Sequence, residues 1–190
     1  MILAAGASRR MGQPKASLPF RGATFLSTVV RAAREAGLDP IVVVLGADGD
    51  KILLKHELDG CLVAWNPDTE AGPIASIQAG ISKLNHLVEA VLIWHVDRPH
   101  VRPTTVALLV DAFRASGCAI VIPSCAGRRG HPVVFARPVF EELLAVPPGQ
   151  GARVVVRKDP ARVRVVPTDD PAVLEDVNLP EEYRRLLEKE

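Results

Sequence analysis

Residues 3–15 read LAAGASRRMGQPK. Leu3 to Ala5 close a short apolar run that reads as a strand. Gly6 and Gly12 then bracket a loop holding Ser8, Arg9 and Arg10, and Lys15 follows Pro14. Glycine lacks Cβ, so such a loop lets a ligand come close to the backbone and turns N–H groups inward. Arg10 and Lys15 add positive charge, and the combination suits a polyphosphate. Two better-known phosphate loops do not fit. A Walker A loop needs lysine and a hydroxyl residue directly after its last glycine, but Gln13 and Pro14 follow Gly12. A dinucleotide fingerprint needs a second glycine two residues after the first, and that position is Ser8. A nicotinamide oxidoreductase is disfavoured on the same ground.

Outward from this loop, apolar runs alternate with helical patterns. Strands are expected at Met1–Ala4, Ile41–Leu45, Leu62–Trp65, Ala90–His95, Ala119–Ile122, Val133–Phe135 and Val163–Val166. Helices are expected at Thr24–Ala36, Asp50–Leu58, Ile74–Leu84, Thr104–Ala115, Pro138–Ala145, Gly151–Arg157 and Pro180–Lys189. In the first helix Phe25, Leu26, Val29, Val30 and Ala33 recur at helical spacing, and Gly37 supplies the stop. Ile41–Leu45 is continuously apolar and mostly β-branched, as a strand covered on both faces requires. The alternation predicts an α/β fold with a mostly parallel sheet between two helical layers. Ligands of such sheets bind beyond the carboxyl ends of the strands.

The chain has 190 residues, 48% hydrophobic and 24% charged, with a formal net charge of +1. That suits one domain over residues 1–190 with a sizeable core. The near-zero charge gives no broad field toward nucleic acid or anionic membrane, so any anion site is local. No apolar run reaches the length of a membrane span. Ser8-Arg9-Arg10 mimics a twin-arginine export signal, but GQPKASLPF is not the apolar stretch such a signal needs. The three cysteines, Cys61, Cys118 and Cys125, form no C-x-x-C pair. They read as small buried hydrophobes in a reducing cytoplasm.

Several loops after strands are chemically unusual. Asn66–Ile81 reads NPDTEAGPIASIQAGI and opens a helix near Pro73, a good first helical residue. Asp97 follows the strand Ala90–His95 in HVDRP, where a carboxylate is well placed to hold Mg²⁺ with substrate phosphates. Gly127–Pro132 reads GRRGHP, which is either an exposed basic hairpin turn or a lining element. Asp176–Tyr183 reads DVNLPEEY and serves at least as a turn and cap before the last helix.

These motifs together resemble the MobA/MocA-like NTP transferases, the molybdenum cofactor cytidylyltransferase and guanylyltransferase type. The family signature L-A-[AG]-G-x-[SG]-x-R-M-G, closed by P-K, is matched from Leu3 through Gly12 and at Pro14-Lys15. The resemblance implies a three-layer α/β/α sandwich of the Rossmann-like nucleotide-diphospho-sugar-transferase kind. It implies that Leu3, Ala4, Ala5, Gly6, Ser8 and Gly12, with Gly72 and Ser76 of the G-P-x-x-S segment, hold the nucleotide. Arg10 and Lys15 would act on the triphosphate, and Asp97 of D-x-P would be the main Mg²⁺ ligand. Asn178 of the closing motif would complete the metal site, with Asp176 the alternative. Leu179 stands where the family has threonine. GRRGHP and the looser Gly149–Arg153 segment resemble acceptor-lining elements, so Arg128, His131 and Arg153 are candidates for the acceptor's phosphate.

The implied activity is transfer of a nucleoside monophosphate to the phosphate of molybdopterin with loss of pyrophosphate. L-A-A-G with G-H-P resembles the CTP-using branch, and L-A-G-G the GTP-using one. The alternatives are a GTP-using molybdopterin guanylyltransferase, a nucleotidyltransferase for another phosphorylated small molecule, or a non-catalytic nucleotide-binding role in maturing a molybdenum enzyme. The implied partners are an NTP, a molybdopterin-type acceptor and a molybdenum enzyme.

Overall fold

The computed structural model describes every residue except Ala7, Glu57 and Glu190, and Arg9 in its backbone alone. Ten strands form among the described residues: β1 (Ile2–Ala4), β2 (Pro19–Phe20), β3 (Ala23–Thr24), β4 (Ile41–Leu45), β5 (Cys61–Trp65), β6 (Ala90–His95), β7 (Ile120–Cys125), β8 (Arg128–Arg129), β9 (Val133–Ala136) and β10 (Val163–Pro167). The main sheet has the order β10-β7-β9-β6-β1-β4-β5, with β8 paired to β7. Strands β6, β1, β4 and β5 are mutually parallel, with Ile2 opposite Val43 and Trp94, and Ile41 opposite Cys61. Strand β9 runs antiparallel between β6 and β7, so the sheet is mixed but mostly parallel.

Side chains alternate between the two faces of a strand, and the two cores follow that period. Ile2 and Ala4 join Ile41, Val43 and Leu45 on one face, against α1 (Phe25–Glu35), α4 (Pro103–Ser116) and α7 (Pro180–Glu188). Ile52 of α2 (Gly49–Leu53) packs there too. Leu3 and Ala5 join Val42, Val44, Val91 and Ile93 on the other, against α3 (Pro73–Ile81), α5 (Phe140–Leu144) and α6 (Arg153–Lys158). All five residues of β4 are buried, which accounts for its continuous apolar sequence. The expected three-layer α/β/α fold is therefore the fold observed.

Two local expectations change. The helix expected over Asp50–Leu58 ends at Leu53, and its Glu57 lies outside the described residues. His56 accounts for the early stop: its Nε2 is 3.2 Å from Ser17 Oγ and its Nδ1 3.2 Å from Thr24 Oγ1, so its ring is drawn into the body of the protein. Three short strands were also not foreseen: β2 and β3, which pair about Arg21-Gly22, and β8, which folds back on β7 about Ala126-Gly127. All four turn residues have positive φ, which a two-residue hairpin turn of matching twist requires. No helix among the described residues is long and apolar enough to cross a membrane.

Candidate active site

The carboxyl ends of β1, β4 and β6, with the loop after β5, surround a cavity of about 390 Å³. Its first wall is the glycine loop. Leu3, Ala4, Ala5, Gly6, Ser8, Arg10, Pro14 and Lys15 line it. Ser8, at φ 47°, staples the loop internally: its Oγ accepts from Lys15 N–H at 3.0 Å and donates to the Gly6 carbonyl at 3.3 Å. Arg9–Met11 form one tight turn, closed by Met11 N–H to Ser8 C=O at 2.9 Å. Gly12, at φ 69°, ends that turn and does not line the cavity. Its glycine serves the backbone bend. A Cβ on Gly6 would meet no protein atom within 4 Å, so nothing in the protein itself demands glycine there.

Lys15, Asp97 and Asn178 meet at the next wall. Lys15 Nζ lies 3.0 Å from Asp97 Oδ2 and 2.6 Å from Asn178 Oδ1. Asp97 stands just past β6, and its carbonyl accepts from Val177 N–H at 3.0 Å, which ties the closing motif to the strand end. Asn178 is held in turn: its Nδ2 donates to Asp176 Oδ2 at 2.7 Å, and its backbone N–H donates to Glu182 Oε2 at 2.7 Å. The amide oxygen is thereby left facing Lys15. Asn178 lines the cavity, whereas Asp176 borders a separate cleft with His100 and Lys189. Glu182 also accepts from Leu179 N–H, so the helix start is capped without the family's threonine hydroxyl.

A hard divalent cation is bound by oxygen, and Mg²⁺ commonly takes one or two carboxylates with substrate phosphates. Asp97 and Asn178 Oδ1 present two such oxygens to one point, so the donor set fits. No cluster of three or more His, Cys, Asp or Glu suited to a metal exists among the described residues. Phosphate and water ligands would have to complete the coordination.

The remaining walls include residues the sequence reading did not single out. Gly46, Ala47, Asp48 and Gly49 follow β4 and line the cavity. A Cβ on Gly46 would lie 2.4 Å from the Ala5 carbonyl oxygen, and one on Gly49 2.4 Å from the Trp65 ring. Both glycines therefore permit close packing. A GADG turn directly after a buried strand was the available signal. After β5, Asn66 N–H bonds Leu45 C=O at 2.8 Å, and its Nδ2 donates to Ser76 Oγ at 2.9 Å. Ser76 is thus buried and held beside the cavity rather than facing solvent. Gly72, at φ 83°, makes the bend before Pro73 opens α3.

His95 also lines the cavity, and its ring meets that of His131 edge to face with centroids 4.9 Å apart. Burial lowers the pKa of His95, against the raising effect of Asp97. Burial, with His95 and Arg98 nearby, lowers that of His131 to about 3. His131 does not line the cavity, and its burial favours the uncharged ring at neutral pH. Arg128 lies exposed on the β7–β8 hairpin and Arg153 exposed at the start of α6; neither reaches the cavity. Arg128 and Arg129 of GRRGHP form β8, paired antiparallel with Cys125 and Ser124 of β7. Arg98 is committed elsewhere, donating to the Val173 and Glu175 carbonyls at 2.9 Å each.

Comparison with known proteins gives the family and the fold. The profile of the MobA-like NTP transferase domain covers residues 1–165. Nicotine blue oxidoreductase of Paenarthrobacter nicotinovorans is 31% identical over 194 residues, 98% of this chain and 95% of that protein. The molybdenum cofactor cytidylyltransferase of Escherichia coli is 27% identical over 152 residues, 77% of this chain and 74% of that protein. The solved structure of Rv0371c from Mycobacterium tuberculosis superposes with a TM-score of 0.90 at 32% identity, covering 98% of this chain and 96% of that one. A manganese complex of Rv0371c superposes at 0.84 with 29% identity, covering 100% and 97%. With the family profile spanning most of the chain, the protein belongs to the MobA-like NTP transferases.

Proposed function

We propose that the protein transfers CMP from CTP to the phosphate of a molybdopterin-type acceptor and releases pyrophosphate. The observation that carries the proposal is the meeting of Lys15, Asp97 and Asn178 beside the Gly6 loop. Backbone N–H groups of the loop, Arg10 and Lys15 hold the triphosphate. Asp97 and Asn178 hold the divalent cation, proposed as Mg²⁺, which when bound neutralises phosphate charge. An acceptor phosphate oxygen forms the new bond to the α-phosphorus, the bond to the bridging α,β-oxygen breaks, and the pair leaves with pyrophosphate. The acceptor phosphate is ionised at neutral pH, so no general base is needed. Catalysis is then positioning and charge compensation.

Leu3, Ala4 and Ala5, with Gly72 and Ser76, form the proposed base pocket. The Ala5 methyl occupies space that glycine leaves to a purine in the GTP-using branch, and this favours CTP. The likeness to an oxidoreductase supports a second reading, a redox activity on the same scaffold. Both readings are tested by following pyrophosphate release with each of the four NTPs, with and without molybdopterin, beside oxidation of NADH and NADPH. Lys15→Ala is expected to lower turnover roughly 10²-fold or more, the scale for losing one preorganised contact to developing charge. Near-normal turnover in a folded Lys15→Ala protein would sink the assignment of Lys15.

A further inference from the structure

We infer that the Lys15 ammonium is the resident cation of the Asp97–Asn178 site, so that the site takes a divalent cation as its complex with a nucleoside triphosphate and disfavours the free ion. The inference rests on the proposed function for the identity of the nucleotide. Lys15 Nζ occupies the point where the two oxygens converge, 3.0 Å from Asp97 and 2.6 Å from Asn178. The pair is sheltered, with side chains 14% and 19% exposed. Neither end is free to drift. Lys15 is pinned through its N–H on Ser8 Oγ and its carbonyl under Leu18 N–H. Asn178 is turned toward Lys15 by Asp176 and Glu182.

Charge decides what can enter. The ammonium already balances Asp97, the one carboxylate paired with it among the described residues. A free dication would have to displace the ammonium from both oxygens and would leave Lys15 without an anion. It would also have to shed part of its water shell for two protein ligands, which Mg²⁺ does reluctantly. A triphosphate changes both terms. It offers Lys15 a new anionic partner in the adjoining loop, and it brings the dication with phosphate ligands already in place. Lys15 then moves its charge from Asp97 to phosphate as the dication takes over the oxygens. One residue thereby serves as plug and as phosphate contact.

The test is Mn²⁺ binding without nucleotide, read from the electron paramagnetic resonance signal of free Mn²⁺. Lys15→Met is expected to bind Mn²⁺ at least about tenfold more tightly than the unmodified protein, because a like charge a few ångströms away is gone. Lys15→Arg, which keeps the charge, should stay weak. In Lys15→Met/Asp97→Asn the gain should vanish. Adding non-hydrolysable α,β-methylene CTP to the unmodified protein should remove more free Mn²⁺ than the protein alone and the same nucleotide alone remove together. Equal Mn²⁺ affinity in the unmodified and Lys15→Met proteins overturns the inference, as does a gain that survives Asp97→Asn. Lys15→Gln gives the same comparison if Lys15→Met fails to melt cooperatively. No turnover enters the measurement, so a failure of the proposed reaction would show separately, as missing pyrophosphate.

Discussion

Alanine at Gly46 and at Gly6 should separate two uses of glycine at one site. At Gly46 an added Cβ would lie 2.4 Å from the Ala5 carbonyl oxygen, 2.8 Å from Thr69 Cγ2 and 3.1 Å from the Ala5 carbonyl carbon. Comfortable contacts between carbon atoms begin at about 3.5 Å. The end of β1 and the turn after β4 must therefore part by roughly 1 Å, a scale comparable with this overlap. Overpacking of this kind costs about 1–3 kcal/mol. For a chain of this length each kcal/mol lowers Tm by about 2–4 °C, so a fall of roughly 2–12 °C is expected. At Gly6 nothing lies within 4 Å of an added Cβ, and φ is not in the left-handed region. Gly6→Ala should keep its Tm, with stability changed by no more than about 0.5 kcal/mol. Its methyl should nevertheless hinder the triphosphate, and kcat/KM should fall about 10²-fold, as for a misplacement of about 1 Å. Thermal melts and pyrophosphate release on both variants check the pair. Indistinguishable melting of the two, or full activity in Gly6→Ala, would refute the reasoning.

Three further outcomes are expected. Asp97→Asn should abolish turnover while Tm stays within a few degrees, because its carboxylate contacts the Lys15 ammonium rather than the core; an unfolded variant would mark Asp97 as structural. Ala5→Gly should narrow the preference for CTP over GTP, expected at about 10–200-fold from the worth of small pocket differences, and kcat/KM for both nucleotides measures it. Burial lowers the His131 pKa from 6.5 to about 3, so between those values the unfolded chain binds the extra proton and stability falls on acidification. His131→Phe removes that titration, and its denaturant midpoint should decline less steeply from pH 7 to 4; an unchanged slope would contradict the assignment.

Much of this architecture is written in local pattern. Ile41–Leu45 reads as a doubly covered strand and all five of its residues are buried, and the seven longer strands fall where the apolar runs placed them, to within a residue except at the end of β7, which runs three residues further, to Cys125. What local pattern missed was decided at a distance. The helix after Asp50 stops early because His56 is drawn to Ser17 and Thr24. The turns at Arg21-Gly22 and Ala126-Gly127 lack the Asn-Gly or Asp-Gly pair that marks such hairpins in sequence.

The site divides in the same way. Motif and strand end coincide at the Gly6 loop, Lys15 and Asp97, and these residues line one cavity. Gly46 was not, since its need for glycine comes from the end of a different strand. Asn66 does not line the cavity, and its link to the cavity wall is a buried hydrogen bond to Ser76. Arg128 and Arg153 were drawn toward the site by their charge and motif, but the hairpin and α6 carry them away from the cavity.

The most direct test of nucleotidyl transfer uses CTP labelled at the α-phosphorus, with Mg²⁺ and molybdopterin. The account predicts label in a molybdopterin dinucleotide, one pyrophosphate released per label transferred, and the same product absent when Asp97→Asn replaces the unmodified protein. A cooperatively melting protein that releases no pyrophosphate from any of the four triphosphates in the presence of molybdopterin would contradict it.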